Sequence, residues 1–389
     1  MQALEGIRVL DLAPLGPGPH CSQILADLGA GVIKIEPPGP GEGRRAGRLL
    51  RLPPDAAIRR DSRTLGLNLK DEAGREVFYR LAATADVVID GYRPGVVKRL
   101  GVDYETVRRI KPDVVYASLS GYGQDGPYGA YVGHDINYQA VTGLLAMTGH
   151  SDGPPVIPGN TIADNAGGGM NAVISILAAL LVRDRAGVGQ YIDMAMVDGL
   201  VTMMSLTLDD HLTTGETPRR GETLLTGRYP WYAVYETKDG KHLAVGAIEP
   251  WFYENLCRAL GREDFVERQY AEGAQRDEIV AAFRAAFLTK TRDEWVAELM
   301  PAETCVSPVL DIDEVTRDRH LRHRGLIVET KTADGRCRAQ VGAMVKLSET
   351  PARVRGPRPR PDEDAAEVLR ELGYDDEAID AMRRAQAIA

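Results

Sequence analysis

Ile7-Arg8-Val9-Leu10-Asp11-Leu12, Pro14–Pro19, Cys21–Leu28 and Gly31-Val32-Ile33-Lys34-Ile35 together decide the fold. The first run reads as a buried strand, the second as a Gly/Pro turn, the third as a helix and the fourth as the next strand. Such a βαβ opening calls for a parallel sheet. The turn's Gly16-Pro17-Gly18-Pro19 matches a dinucleotide loop only loosely. Pro17 and Pro19 offer no N–H to cradle a pyrophosphate and the full G-x-G-x-x-G spacing is absent, which argues against a nicotinamide or flavin cofactor.

The alternation continues outward from this unit. A helix is predicted near Glu72–Ala83, a strand at Asp86–Asp90, a loop at Gly91-Tyr92-Arg93-Pro94-Gly95, short helices to Ile110 and a strand at Val114–Leu119. A helix over about Met170–Arg185, a strand at Tyr191–Met194 and a helix toward His211 follow, all consistent with a doubly wound α/β domain. The polar stretch Thr213–Thr223 reads as a linker. Beyond it, Tyr229–Tyr235 and Leu243–Val245 pair around Lys238-Asp239-Gly240, with helices at Trp251–Leu260, Arg276–Leu288 and Thr291–Leu299. Strands near Leu326–Glu329 and Ala339–Met344 and helices at Ala365–Leu372 and Asp376–Ala385 end the chain. The expected division is 1–212 for the first part of a large domain, 213–325 for a small α+β domain with its linker, and 326–389 for a C-terminal part.

The 389 residues fit one large and one smaller domain, and a formal charge of −9 argues against a general nucleic-acid binder. Against that acidic background Glu42–Arg63 carries seven arginines and three acids. This is either a solvated basic loop or a seat for a phosphate-bearing ligand, since guanidinium groups pair well with phosphate oxygens. Cys21, Cys257, Cys305 and Cys337 show no metal-ligand or redox spacing and read as reduced thiols of a cytoplasmic protein. Met1–Gly6 leads straight into a strand, so no secretory leader is expected. The longest apolar run, Ala172–Val182, falls short of the ~20 residues of a membrane span and is expected to be a buried core helix.

Gly133–Met170 concentrates the chemistry. His134 can serve as base or acid near neutrality, its unperturbed pKa being ~6.5, or be a satisfied polar residue. Asp164 stands before a helix, where it is either a cap or a second acid–base group. The run Gly167-Gly168-Gly169 would admit a ligand carbonyl to backbone N–H groups that stabilise an enolate. Glu249, before Pro250, is placed at a helix N-cap; a carboxylate there could also hold an imidazole. Arg93 follows a strand end and reads as a phosphate contact or a loop salt bridge. No Ser/His/Asp triad and no metal-ligand spacing stand out.

Gly133-His134-Asp135-Ile136-Asn137-Tyr138, Ala163-Asp164, Ala244-Val245-Gly246-Ala247-Ile248-Glu249-Pro250 and Cys305-Val306-Ser307-Pro308-Val309 resemble the α-methylacyl-CoA racemases of the class III CoA-transferase (CaiB/BaiF) superfamily. The resemblance covers essentially the whole chain. It implies a Rossmann-like large domain built from both chain ends, a small α+β domain between them and an interlocked homodimer. It also implies an acyl-CoA substrate, no metal or cofactor, and no nucleic-acid or membrane partner. His134 and Asp164 would face the thioester α-carbon from opposite sides, with Glu249 partnering the histidine. Gly66, Leu67, Asn68, Leu69, Arg93, Gly133, Asp135, Ile136, Asn137 and Tyr138 match positions that line CoA. The alternative within the superfamily is a CoA-transferase in which Asp164 forms an anhydride and then an aspartyl-CoA thioester. The chain departs from the racemase pattern at Pro37, where an arginine is usual, at Asp61-Ser62, at Asn165, where an aromatic residue is usual, and at Thr226–Tyr229.

Overall fold

A computed structural model describes residues 1–38, 60–331, 335–356 and 362–389. Strands β1 (Arg8–Asp11), β2 (Gly31–Glu36), β3 (Ser62–Gly66), β4 (Val87–Asp90), β5 (Val115–Ser120) and β6 (Gln190–Ala195) form one sheet. Its order is β3-β2-β1-β4-β5-β6, and every pairing is parallel. This is the doubly wound arrangement, whose order reverses between β1 and β4. Sequence reading did not single out β3; Ser62-Arg63-Thr64 makes its first half polar, and partnership with β2 makes it a strand.

Period-two alternation assigns each side chain to a face. Leu10, Leu12, Ile33, Ile35, Leu65, Val88 and Tyr116 point to one side, where α2 (Glu72–Ala82) and the C-terminal helices supply Val77, Phe78, Leu81, Val368, Leu369 and Ile379. Val9, Val32, Val87, Ile89, Val115 and Ala117 point to the other, against α1 (Pro17–Asp27) and α4 (Asn171–Ala186). Each fully buried aliphatic side chain here contributes about 1.5–3 kcal/mol. α1 begins at Pro17, four residues before the predicted start, because proline is tolerated in a first turn whose N–H groups have no intrahelical acceptor.

Two compact units emerge: 1–142, 159–205 and 319–389 form the large one, and 143–158 with 206–318 the small one. The first part of the small unit, Gly143–Pro158, lies in the stretch between His134 and Asp164, which the sequence reading kept in the large domain. The small unit holds an antiparallel sheet of β7 (Tyr232–Glu236), β8 (His242–Gly246) and β9 (Val306–Pro308). Its core is aromatic, with Trp231, Tyr235, Tyr253, Phe265, Phe283, Phe287 and Trp295 buried.

The glycine run requires a correction. Ala163–Met170 is a π-helix that continues directly into α4 as one 24-residue helix, Ala163–Ala186, apolar and long enough by length and composition to cross a membrane. Gly167-Gly168-Gly169 therefore lies inside a helix, where backbone N–H groups serve the helical ladder rather than a ligand. The glycines act by being small. A Cβ on Gly168 would stand 2.6 Å from Pro17 Cβ, and one on Gly169 2.9 Å from His20 Cδ2. One on Gly199 of α5 (Met196–Met203) would overlap the Gly167 carbonyl oxygen. α1 and α5 thus close onto the π-helix at backbone distance. Nor is α4 wholly buried: Val173, Ile176 and Leu180 face the core while Ile174 (64%), Leu181 (48%) and Val182 (43%) are exposed.

Candidate active site

The loops after β1, β4 and β5 leave the sheet at its C-terminal edge, the side on which open α/β sheets bind ligands. The loop after β5 leads to α3 (Asp135–Val141), with His134 as its N-cap residue. Asn137 Oδ1 accepts the His134 backbone N–H at 2.9 Å. Gly133 is tied in as well: Tyr138 Oη donates to its carbonyl at 2.6 Å, and a Cβ there would stand 2.7 Å from the Tyr138 ring. Burial, with Tyr122, Asp164 and Asp135 adding to it and Arg93 opposing, pushes the Tyr138 phenol up to about 12.

Asp164 stands in the first turn of the π-helix beside α3. Its backbone N–H donates to Asp135 Oδ1 at 2.9 Å, while Asp135 Oδ2 accepts from the Gln139 amide. Asp135, expected along CoA, thus commits both oxygens to fixing Asp164 and α3. The Asp164 carboxylate does not cap its helix; the N-cap position is Ile162, without a side-chain bond. Burial first and the negative charge of Asp135 second push Asp164 up to about 6, and His134 opposes them. A π-helical turn that carries a carboxylate of raised pKa is a recurrent mark of a functional position. From the β1 side, Gly16 (φ +68) lies so close that a Cβ there would sit 3.6 Å from Asp164 Oδ1. Asn165 turns away, donating to Thr161 Oγ1 at 3.2 Å.

The remaining predicted residues divide among several places. Leu67, Asn68 and Leu69 line a cavity of about 640 Å³ at the ends of β1–β4, together with Leu12, Pro14, Ile35, Glu36, Pro37, Pro38, Lys70, Tyr92, Val96 and Leu100. Gly66, ending β3, is covered by Ala389 and Asp362. Arg93 lines a second hollow of about 490 Å³ with Arg99, Gln124, Asp125 and Tyr131. Ile136 and Asn137 are exposed on α3. Sequence reading missed Gly16, Tyr92 and the apolar wall Leu12/Ile35/Val96/Leu100; their common signal is position just past a parallel strand's C-terminal end.

Of the arginine-rich stretch, Arg44, Arg45, Arg48, Arg51 and Arg59 lie outside the described residues. The other two carry structural ion pairs. Arg60 is buried with Asp27 at 2.7 Å and donates to the Val341 carbonyl at 2.6 Å. Arg63 pairs with Glu371 at 2.6 Å. In the small unit, Glu249 occupies the N-cap of the helix Pro250–Ala259, as predicted, yet its side chain makes no cap bond. Its charge and, more strongly, burial raise the Cys305 thiol. Among the described residues, no cluster of three or more His, Cys, Asp or Glu side chains is placed to hold a metal ion.

Residues 4–365 match the model of CoA-transferase family III. The chain belongs to this family. Two relatives lie in mammals: the alpha-methylacyl-CoA racemases of Homo sapiens, 38% identical with 97% of this chain and 95% of the relative covered, and Mus musculus, 37% identical with the same coverage. A succinyl-CoA:mesaconate CoA-transferase of Haloarcula marismortui is 32% identical, with 96% and 98% covered. Among solved structures, a CAIB/BAIF family protein from Brucella suis superposes with a TM-score of 0.82 at 28% identity, covering 95% of this chain and 99% of that one. The class III fold therefore accounts for the whole family chain, and the family and its relatives mark it as an enzyme of the CoA-transferase and racemase group.

Proposed function

We propose that the protein interconverts the epimers of 2-methylacyl-CoA thioesters by moving a proton at the α-carbon. The observation that carries this reading is that Asp164 is tied by its N–H to Asp135, the residue next to His134 at the start of α3, and that burial pushes its carboxyl up to about 6 while His134 opposes the shift. An α-proton beside a thioester is weakly acidic, so its removal needs a base and a stabilised enolate oxygen. In one direction His134 takes the proton and Asp164 returns one to the opposite face; in the other the roles reverse. The positive end of the helix beginning at Ala163 supports the negative charge that develops between them. The cavity of Leu67–Leu69 and the Arg93 hollow are proposed as CoA-lining, and the reaction as free of metal and cofactor.

The exposed apolar side chains Ile174, Leu181, Val201 and Met203 of the large unit support a homodimer, which sedimentation should show at twice 42.4 kDa. A cytoplasmic setting without nucleic-acid or membrane partners completes the proposal. A CoA-transferase reading shares Asp164 but leaves His134 without a task.

Incubation with a single 2-methylacyl-CoA epimer in heavy water separates the two. Deuterium entering the α-carbon together with loss of chirality is the expected outcome. CoA passing to a free acid, with hydroxylamine trapping an acylated Asp164 and no exchange, would establish the transferase instead.

The pH dependence should be bell-shaped and the same in both directions. The reactive forms, Asp164 ionised with His134 protonated or the reverse, carry equal numbers of protons. Below the pair's lower titration neither group is a base, and kcat/KM falls about tenfold per pH unit; above the upper one neither is an acid, and it falls likewise. A profile that keeps rising to pH 10 would contradict two-base transfer.

A further inference from the structure

Beneath the first loop of the large unit lies a charge pair that the proton-transfer chemistry does not use. Lys34, in the middle of β2, is 1% exposed. Its ammonium donates to Asp11 Oδ1 at 2.8 Å and also to the Ala13 carbonyl. Asp11 is fully buried; the same Oδ1 accepts the Ala13 N–H at 2.7 Å, and Oδ2 accepts the Ser22 hydroxyl at 2.8 Å. Both the N–H and the C=O of Ala13 are thereby clamped, and Ser22 ties the clamp to α1.

A fully desolvated ion pair is a poor stabiliser beside a well-packed apolar pair of the same volume. Lys34 pairs with Asp11 on one side and Thr64 on the other, while the residues before and after it on β2, Ile33 and Ile35, are core aliphatics, so stability alone does not explain a buried ion pair here. What it does fix is direction. From Ala13 the chain runs to Gly16, which lies against the Asp164 carboxyl, and then to Pro17 and His20, which close on Gly168 and Gly169. The close fit at Gly18, where a Cβ would overlap that of Ala13, leaves the loop little room to settle elsewhere.

We propose that the Lys34–Asp11–Ser22 cluster is a positioning element of the reaction site, holding the Ala13–Gly16 loop over Asp164 so that water is kept from that side of the carboxylate. None of the three touches the reacting atoms. They act through the loop, while Asp135, His134 and Tyr138 are the titratable groups that act on Asp164 from α3. Loosening the loop hydrates the carboxylate, and its proton affinity falls toward that of an ordinary aspartate. The consequence for rate rests on the racemase reading; the consequence for titration does not.

The test uses the full chain carrying aspartate labelled with 13C at Cγ, with the Asp164 signal assigned by its loss in Asp164→Asn. In Ser22→Ala and in the double variant Asp11→Asn with Lys34→Met, which removes both charges of the pair, the Asp164 midpoint should fall by about half a pH unit or more. Ser22→Thr, which keeps the hydroxyl, should restore it. Exchange of the α-proton should fall roughly tenfold alongside. Should the double variant fail to fold, Ser22→Ala decides. An unchanged Asp164 midpoint in a Ser22→Ala protein with wild-type thermal unfolding overturns the proposal. Absence of exchange in the wild type would instead overturn the racemase reading, with the titration still deciding the role of the cluster.

Discussion

On the proposed two-base reading, Asp164→Asn should lose epimerisation by about 10³-fold or more, the usual reach of a single positioned acid or base being 10²–10⁴. It should nevertheless still exchange the α-proton of one epimer. Asparagine cannot take up or return a proton, but in that reading His134 serves the other face and can remove and replace a proton there without inversion. His134→Ala should show the mirror behaviour, losing epimerisation equally while exchanging only the opposite epimer through the Asp164 carboxylate. Separate solvent-exchange measurements on each pure epimer, with acyl-CoA binding measured in parallel, check this. Exchange of both epimers at comparable rates by either variant would mean that one group serves both faces, and the two-base assignment would fall.

Gly168→Val should be the most damaging substitution for stability among those near the site. The first added carbon alone would stand 2.6 Å from Pro17 Cβ and 2.8 Å from Met196 Cγ. Pro17 belongs to a rigid first turn and Met196 opens α5, so neither side can yield without a shift of backbone. Overpacking of this kind costs about 1–3 kcal/mol, and the upper end is expected here. For a unit of this size that lowers the unfolding midpoint by roughly 5 °C. Activity should fall as well, because displacing the π-helix moves Asp164 relative to Asp135. Thermal unfolding followed by circular dichroism, with residual exchange measured below the midpoint, checks both. A midpoint within a degree of wild type would mean that the glycine run is not the packing device described.

Much of the fold was legible in the chain because its signals are local. Ile7–Leu12 and Gly31–Ile35 are apolar on both faces, as parallel strands between two helical layers must be, and Pro14–Pro19 marks the turn between strand and helix. β3 escaped because its first half is polar and only its neighbour makes it a strand. Glu249 was placed correctly at a helix start from Pro250 alone, whereas the expectation that such a carboxylate caps its helix was not met, because side-chain direction is not encoded in spacing.

The stretch proposed to carry the chemistry divides in the same way. His134 and Asp164 as residue types, and the match of motifs in order along the chain to CoA-transferase family III, came from the sequence by itself, since identity and spacing are one-dimensional properties. Only the tertiary structure decided what the three glycines after Asp164 do. Their spacing is equally compatible with a ligand-binding loop and with a crowded helix, and it is α1 and α5, packed at backbone distance, that select the helix. Tertiary structure likewise brought Asp135 to the Asp164 N–H and Gly16 to its carboxylate. Those contacts join residues 29 apart in one case and far more distant in the other. The burial that raises the Asp164 pKa exists only once the sheet has brought these segments together.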